Sequence, residues 1–266
     1  MPAPVLKKYG SIFVAIAKAS FIAEIEFRLN FVMKIINDIF WYAAQIFTFE
    51  VLFRHTNLIG DWNLQQTRVF LGVLFIVDAF YMTFIQENLD RFSEKVRKGE
   101  LDLLLTKPVN SQFMITFARI SVSCLGNLII AVSWFSWSLS QLPDFNWMKG
   151  LWILLLVPTG FSVMYGIRFS IAAMAVVFVR VDSMQYVWYQ LYRLGMRPDS
   201  IYMPWLKFIL LTIIPVGLIA SVPARAVLNP PELWVFAWSL IAGPLFVAFS
   251  AWFWKQCLLR YQSSSS

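Results

Sequence analysis

The feature that most constrains this chain is a succession of long apolar runs. A helix needs about 20 mostly apolar residues, at roughly 1.5 Å rise each, to cross the hydrocarbon of a bilayer. Six segments meet that test: about Phe31 to Phe53, Leu64 to Glu87, Phe113 to Leu139, Leu151 to Val179, Trp205 to Val222 and Leu233 to Cys257. The first carries Lys34, Asp38 and Glu50 and is the least clean. Composition agrees, because 59% of the chain is hydrophobic and 14% charged, whereas a soluble domain is nearer half and a quarter. The surplus apolar surface has to face lipid. The expected fold is an all-α membrane domain of six spans over residues 31–257.

Charge placement predicts the orientation. With the N-terminus inside, the cytoplasmic side holds Lys7, Lys8, Lys18, Arg28, Arg91, Lys95, Arg97, Lys98 and Lys107. It also takes Arg180, Arg193, Arg197, Lys255 and Arg260, and the outer side takes only Arg54, Lys149 and Arg225. Basic residues favour the cytoplasmic face, so both termini are expected inside, in the plasma (inner) membrane. The net charge of +7 is then a membrane property, and no basic stretch has the aromatic interleaving of a nucleic-acid site.

Residues 1–30 read as an N-terminal amphipathic interfacial helix. Ile12, Phe13, Ile16, Ala17, Phe21, Ile22 and Ile25 recur at helical spacing, against Lys8, Lys18, Glu24 and Arg28. The same charges interrupt what a cleavable signal peptide would need. Residues 258–266 form a short cytoplasmic tail ending in Ser263–Ser266, which carries no fold information. Cys124 and Cys257 offer no disulfide framework, and a lone His55 builds no metal site.

The outer loops are short and the inner loops, about 89–111 and 180–204, are longer. In the first inner loop a charged continuation of the second span reaches Gly99, where glycine tolerates a reversal. Glu100 and Asp102 then suit the positive end of a new short helix. Leu101, Leu103, Leu104 and Leu105 give it an exposed apolar ridge, and Pro108 ends it. Such a helix on two stiff arms can carry force from a soluble partner.

Lys98-Gly99-Glu100-Leu101-Asp102, then Leu104, then Lys107-Pro108-Val109-Asn110, resembles the cytoplasmic loop of a permease branch of type-2 ABC transporters. Pro198-Asp199-Ser200-Ile201-Tyr202, the later Thr212-Ile213-Ile214-Pro215, and Pro223-Ala224-Arg225-Ala226-Val227-Leu228 are similar to the same branch. The resemblance implies a permease without a nucleotide site. Two permeases, identical or homologous, would sit on two ATPase subunits that bind ATP and Mg. The loop helix, with Lys98, Gly99, Glu100, Leu101, Asp102, Leu104, Lys107 and Pro108, would couple ATPase closure to the spans. The sequence contains no G-x-x-x-x-G-K-[ST] phosphate loop, and it has too few clustered acids or histidines for a membrane-embedded enzyme. The implied cargo is amphiphilic, a lipid or a polysaccharide. A stand-alone secondary transporter or channel is the alternative, and it predicts broken helices in matching halves.

Ionisable residues at membrane depth are functional candidates, because each costs several kcal/mol unless paired or wetted. Lys34 with Asp38, and Glu50 with Arg54, are four apart and can pair on one face. Asp78 and Arg168 sit at matching depths and form a candidate interhelical ion pair. The aromatic residues Phe40, Trp41, Tyr42 and Phe47 read as lipid belt, packing or the lining of an apolar path. Pro215 and Gly217 allow a kink in the fifth span, which a gate helix could use.

Overall fold

The computed structural model describes residues 3–26, 28–143, 147–178, 181–228 and 232–261. Arg180 and the terminal serines lie outside the described residues, as do the side chains of Arg28 and Lys149. Among the described residues the chain is helical, with a single isolated bridge between Ile59 and Trp62. The helices are α1 (Ala3–Glu26), α2 (Arg28–His55), α3 (Leu64–Arg97), α4 (Glu100–Leu105), α5 (Ser111–Thr116) and α6 (Val122–Ser140). They continue as α7 (Trp147–Ala173), α8 (Asp182–Gly195), α9 (Pro204–Thr212), α10 (Ser221–Leu228) and α11 (Leu233–Leu259).

Helices α3, α6, α7 and α11 are long and apolar enough to cross a membrane. Of the apolar stretch in α3, 72% is buried inside the molecule, against 28% in each of the other three. Helix α3 is therefore the central post, and the others turn an apolar face outward. Its start is fixed by a capping box, in which Asn63 accepts from Gln66 N and the Gln66 side chain accepts from Asn63 N. It runs 34 residues and contains one π-helical segment, Met82–Gln86. Helices α7 and α11 approach closely through small residues. A Cβ on Gly166 would lie 2.6 Å from the Phe246 backbone, and one on Gly243 would lie 3.0 Å from Thr159.

The third expected span, Phe113 to Leu139, is not one helix. It divides into α5 and α6 across a non-helical stretch at 117–121. The fifth, Trp205 to Val222, is also divided. Helix α9 has 9 residues and α10 has 8, so each is only about 12–14 Å long against some 30 Å of hydrocarbon. Between them Pro215 ends the helical path and a 3-10 turn, Val216–Leu218, reverses the chain. Pro215 and Gly217 thus make the tip of a hairpin rather than a kink in a crossing helix. The tip packs where only glycine fits, since a Cβ on Gly160 of α7 would meet Leu218 O at 2.6 Å.

The hairpin enters and leaves at one end of the bundle. Arg225 of α10 binds Asp61, just ahead of α3, at 2.8 Å, and Asp199, just ahead of α9, at 2.7 Å. Lys207 of α9 reaches Asp199 at 3.0 Å. Asp199, Arg193 and Arg197 therefore do not belong to a loop at the Gly99 end, as expected for residues 180–204. Helix α8 crosses the bundle instead, antiparallel to α3: Tyr189 bonds Asp90 at 2.8 Å and Tyr192 bonds Asp78 at 3.1 Å. At 14 residues, about 21 Å, it is shorter than the hydrocarbon it would cross, and Gln185, Gln190 and Arg193 also make it polar, so it does not register as a span.

Candidate functional site

The loop after α3 turns at Gly99, whose φ of 74° is a left-handed conformation that side chains disfavour. Helix α4 follows, with Glu100 and Asp102 in its first turn. The expected leucine ridge is narrower than its sequence suggests. Leu101 is fully buried in the main core and Leu104 packs partly against it, while Leu103 is 69% exposed and Leu105 is also exposed. A helix of 6 residues cannot present four such positions on one side. Lys98 pairs with Glu94 at 2.7 Å on the surface. Lys107 and Pro108 lie exposed beyond α4.

Helix α1 ties this loop to the break in the third span. Near its start, Lys8 Nζ donates to Pro108 O at 2.8 Å, and Tyr9 Oη accepts from Asn110 N at 3.1 Å. Near its end, Ser20 Oγ accepts from Ile120 N at 3.0 Å and Glu24 Oε2 accepts from Ser123 N at 2.7 Å. Ser20 and Glu24 are buried, whereas Phe21, Ile22 and Ile25 face outward. The C-terminal half of α1 therefore reverses the expected amphipathic assignment of Glu24. The reason is the broken helix, because peptide groups freed inside a membrane protein need partners. Asn88 donates to Thr116 O at 2.9 Å and Arg119 O at 2.7 Å, and Thr83 O in the π segment accepts from Ser121 N at 2.8 Å.

The intramembrane charges are partnered differently from expectation. Lys34 donates to Ser121 Oγ and Asp38 accepts from Asn127 at 2.7 Å, so the two do not serve each other. Glu50 pairs with Arg68 at 2.6 Å rather than with Arg54. Arg168, fully buried, pairs with Asp90 and donates to Tyr81 Oη at 2.6 Å, with its guanidinium 5.3 Å from the Tyr189 ring centre. Asp78 accepts from Tyr192 instead. The expected Asp78–Arg168 pair counts depth from Glu87, but α3 runs on to Arg97. Measured from that end, Asp90 is the residue at the depth of Arg168.

A crevice of mixed lining follows α2 and α8, with polar side chains set among Phe49, Leu52, Ile59 and Met196. One cavity of about 280 Å³ touches Asn37, Asp38, Trp41, Tyr189 and Arg193, and a second of about 660 Å³ continues past Trp41 to Gln45, Thr48 and Arg197. Helix α8 is amphipathic: Trp188 and Tyr192 are buried, while Tyr186 is exposed on the other face. Tyr42 packs inward on Phe75 at 4.5 Å, and Phe40 and Phe47 lie outside at 71% and 69% exposure. Neither α8 nor the Asp61–Arg225–Asp199 tie is visible to a search for apolar runs. The available signal for α8 is its helical period, which sets Trp188 and Tyr192 on one face and Tyr186 and Arg193 on the other. An average hydropathy hides that pattern.

At the Asp61 end, hydrogen bonds from Arg225 hold the Asp61 carboxyl well below the usual carboxylate range. The Arg225 guanidinium lies 4.8 Å from the Trp62 ring centre. No group of three or more His, Cys, Asp or Glu side chains comes together as a metal site among the described residues. The family model described as ABC-2 family transporter protein matches residues 39–265. No curated protein and no solved structure matches the chain.

Proposed function

The chain belongs to the ABC-2 family of transporter proteins, and on that premise we propose that it is the permease subunit of an ATP-driven exporter, lying in the plasma (inner) membrane with both termini inside. The Gly99 end then lies in the cytoplasm and the Asp61 end outside. Helices α2, α3, α5–α6, α7 and α11 are spans, the 14-residue α8 completes a sixth crossing only together with the chain that flanks it, and α9–α10 is a hairpin that dips in from the outer side. The charge pattern supports this orientation even with Arg193 and Arg197 on the outer side, because Lys7, Lys8, Lys18, Arg91, Lys95, Arg97, Lys98, Lys107, Lys255 and Arg260 stay inside.

The observation that carries the reading is the crevice between α2 and α8, where polar side chains interrupt an outward surface that also exposes Ile36, Phe40, Phe47 and Val187. The other helices likewise turn Ile129, Leu154, Leu233 and Ile241 outward. Gln45, Thr48, Arg193 and Arg197 line the crevice, and polar or charged side chains facing lipid are costly. A second permease, identical or homologous, laid against this face encloses it and makes a path for an amphiphilic cargo such as a lipid or polysaccharide. ATP and Mg belong to two ATPase subunits below. Leu103 and Leu105 of α4 dock on them, while Leu101 and Gly99 hold α4 at its angle.

The test is purification of the full chain in mild detergent, with the co-eluting chains identified by mass spectrometry. A partner carrying the G-x-x-x-x-G-K-[ST] loop supports the reading. A chain that elutes repeatedly without one favours a stand-alone transporter or channel.

A further inference from the structure

Where α1 meets α2, a cavity of about 590 Å³ opens against the π segment of α3 and the start of α6. It is lined by three cations, Lys34, Arg91 and Arg119, and three acids, Glu24, Glu87 and Asp90. The acids are already engaged. Glu24 accepts from Ser123 N at 2.7 Å, and Asp90 accepts from Arg168 and Tyr189. Glu87 is shared at 3.3 Å and 3.4 Å between Arg91 and Arg119. The cations have donors to spare: each guanidinium carries five, and Arg119 Nε is buried without a partner among the described residues. A second cavity of about 390 Å³ adjoins through Glu87, Arg91 and Arg119 and adds Lys95. The outer side of the α1–α2 corner is apolar, with Phe21, Ile22, Ile25, Leu29 and Val32 exposed.

We propose that this pocket binds the head group of a phosphate-bearing amphiphile, with its tail along the exposed apolar flank of the α1–α2 corner. Arginines match phosphate oxygens with several donors in a fixed fork, which makes the Arg91–Arg119 pair the recognition element. The small residue Ala23 of α1 lines both cavities and leaves room between them. The inference rests on the proposed membrane orientation, which puts the pocket at head-group depth in the inner leaflet. It does not rest on the ATPase partnership.

The experiment is native mass spectrometry of the full-length protein in detergent, titrated with phosphatidic acid, with diacylglycerol as the phosphate-free control and inorganic phosphate as the tail-free control. Retention of phosphatidic acid in preference to both controls is the expected result. Equal retention of diacylglycerol would show an apolar groove only, and equal retention of inorganic phosphate would show a free-anion site; either overturns the proposal. The double change Arg91→Gln, Arg119→Gln should weaken phosphatidic acid about tenfold or more, because charge-assisted hydrogen bonds are lost, while Arg91→Lys, which keeps the charge and loses the fork, should weaken it less than the double change. Unchanged affinity in the Gln variant also overturns it. If that variant does not fold, the comparison of the three ligands on the unaltered protein still decides. Loss of lipid selectivity in a protein that co-purifies with an ATPase would sink this proposal and leave the transport reading standing.

Discussion

At the scale of single residues, Arg168 is the position with most at stake. It is completely buried, held by Asp90 and Tyr81, and its Nη1 has no partner among the described residues. Arg168→Met leaves Asp90 with Tyr189 as its remaining bond, and Asp90→Asn removes the countercharge of a buried cation. Breaking one half of a buried pair costs about 3–5 kcal/mol. Both variants should lower the thermal unfolding temperature in detergent by many degrees. Asp78→Asn keeps an acceptor for Tyr192 and should cost about 1 kcal/mol at most. If Asp78→Asn and Asp90→Asn are equally damaging, the assignment of Arg168 to Asp90 is wrong.

At the scale of elements, α4 separates two leucines that look alike in sequence. Leu101 is a core residue, so Leu101→Asp buries a charge and should lower expression and stability. Leu103→Asp changes only the exposed side of α4. It should leave stability within about 0.5 kcal/mol of the parent yet reduce cargo-stimulated ATP hydrolysis in the assembled complex; unaltered stimulation counts against α4 as the coupling element. Helix α1 is the second lever, since it contacts the loop at 108 and 110 and the broken span at 120 and 123. Glu24→Ala should speed amide hydrogen exchange across 117–124 by roughly fivefold or more, as one bond of about 1 kcal/mol is lost. An unchanged exchange rate would show that Ser20, Asn88 and Thr83 hold the break without Glu24. The α9–α10 hairpin depends on Arg225. Because the folded-state Asp61 carboxyl is depressed, its stabilisation is complete above its unfolded value of about 3.9 and fades only as pH falls below that. Unfolding temperature should therefore show no Asp61-dependent loss between neutral pH and about pH 5. An Asp61→Asn protein should be less stable than the parent at neutral pH, by a margin that narrows as pH falls towards about 2.

For the whole molecule, the α2–α8 face makes the sharpest demand. Thr48 is exposed in the crevice, and both native cysteines are buried. Thr48→Cys should form a disulfide-linked dimer under oxidation in membranes if two copies meet across that face. A cysteine at Ile129, exposed on the apolar side of α6, should not. The reverse pattern would move the partner permease to another surface.

The sequence by itself determined that this chain is helical and built for a bilayer, because about 20 apolar residues in a row have no other stable home. The loop around Gly99 and the proline pattern also carried the family resemblance, and Gly99 turns where its residue type allows. Tertiary structure decided which helices complete the bundle and which charges meet. Helix α8 was hidden because its core contacts are made by Trp188, Tyr192 and Tyr189, and the two tyrosines find partners for their hydroxyls on α3 only after folding. The breaks at 117–121 and around Pro215 were hidden for a related reason. A local apolar run looks continuous, and whether its peptide groups stay in one helix depends on groups elsewhere in the fold. At the first break, from Thr116 to Ser123, those groups are Ser20, Glu24, Thr83 and Asn88, which arrive from distant parts of the chain.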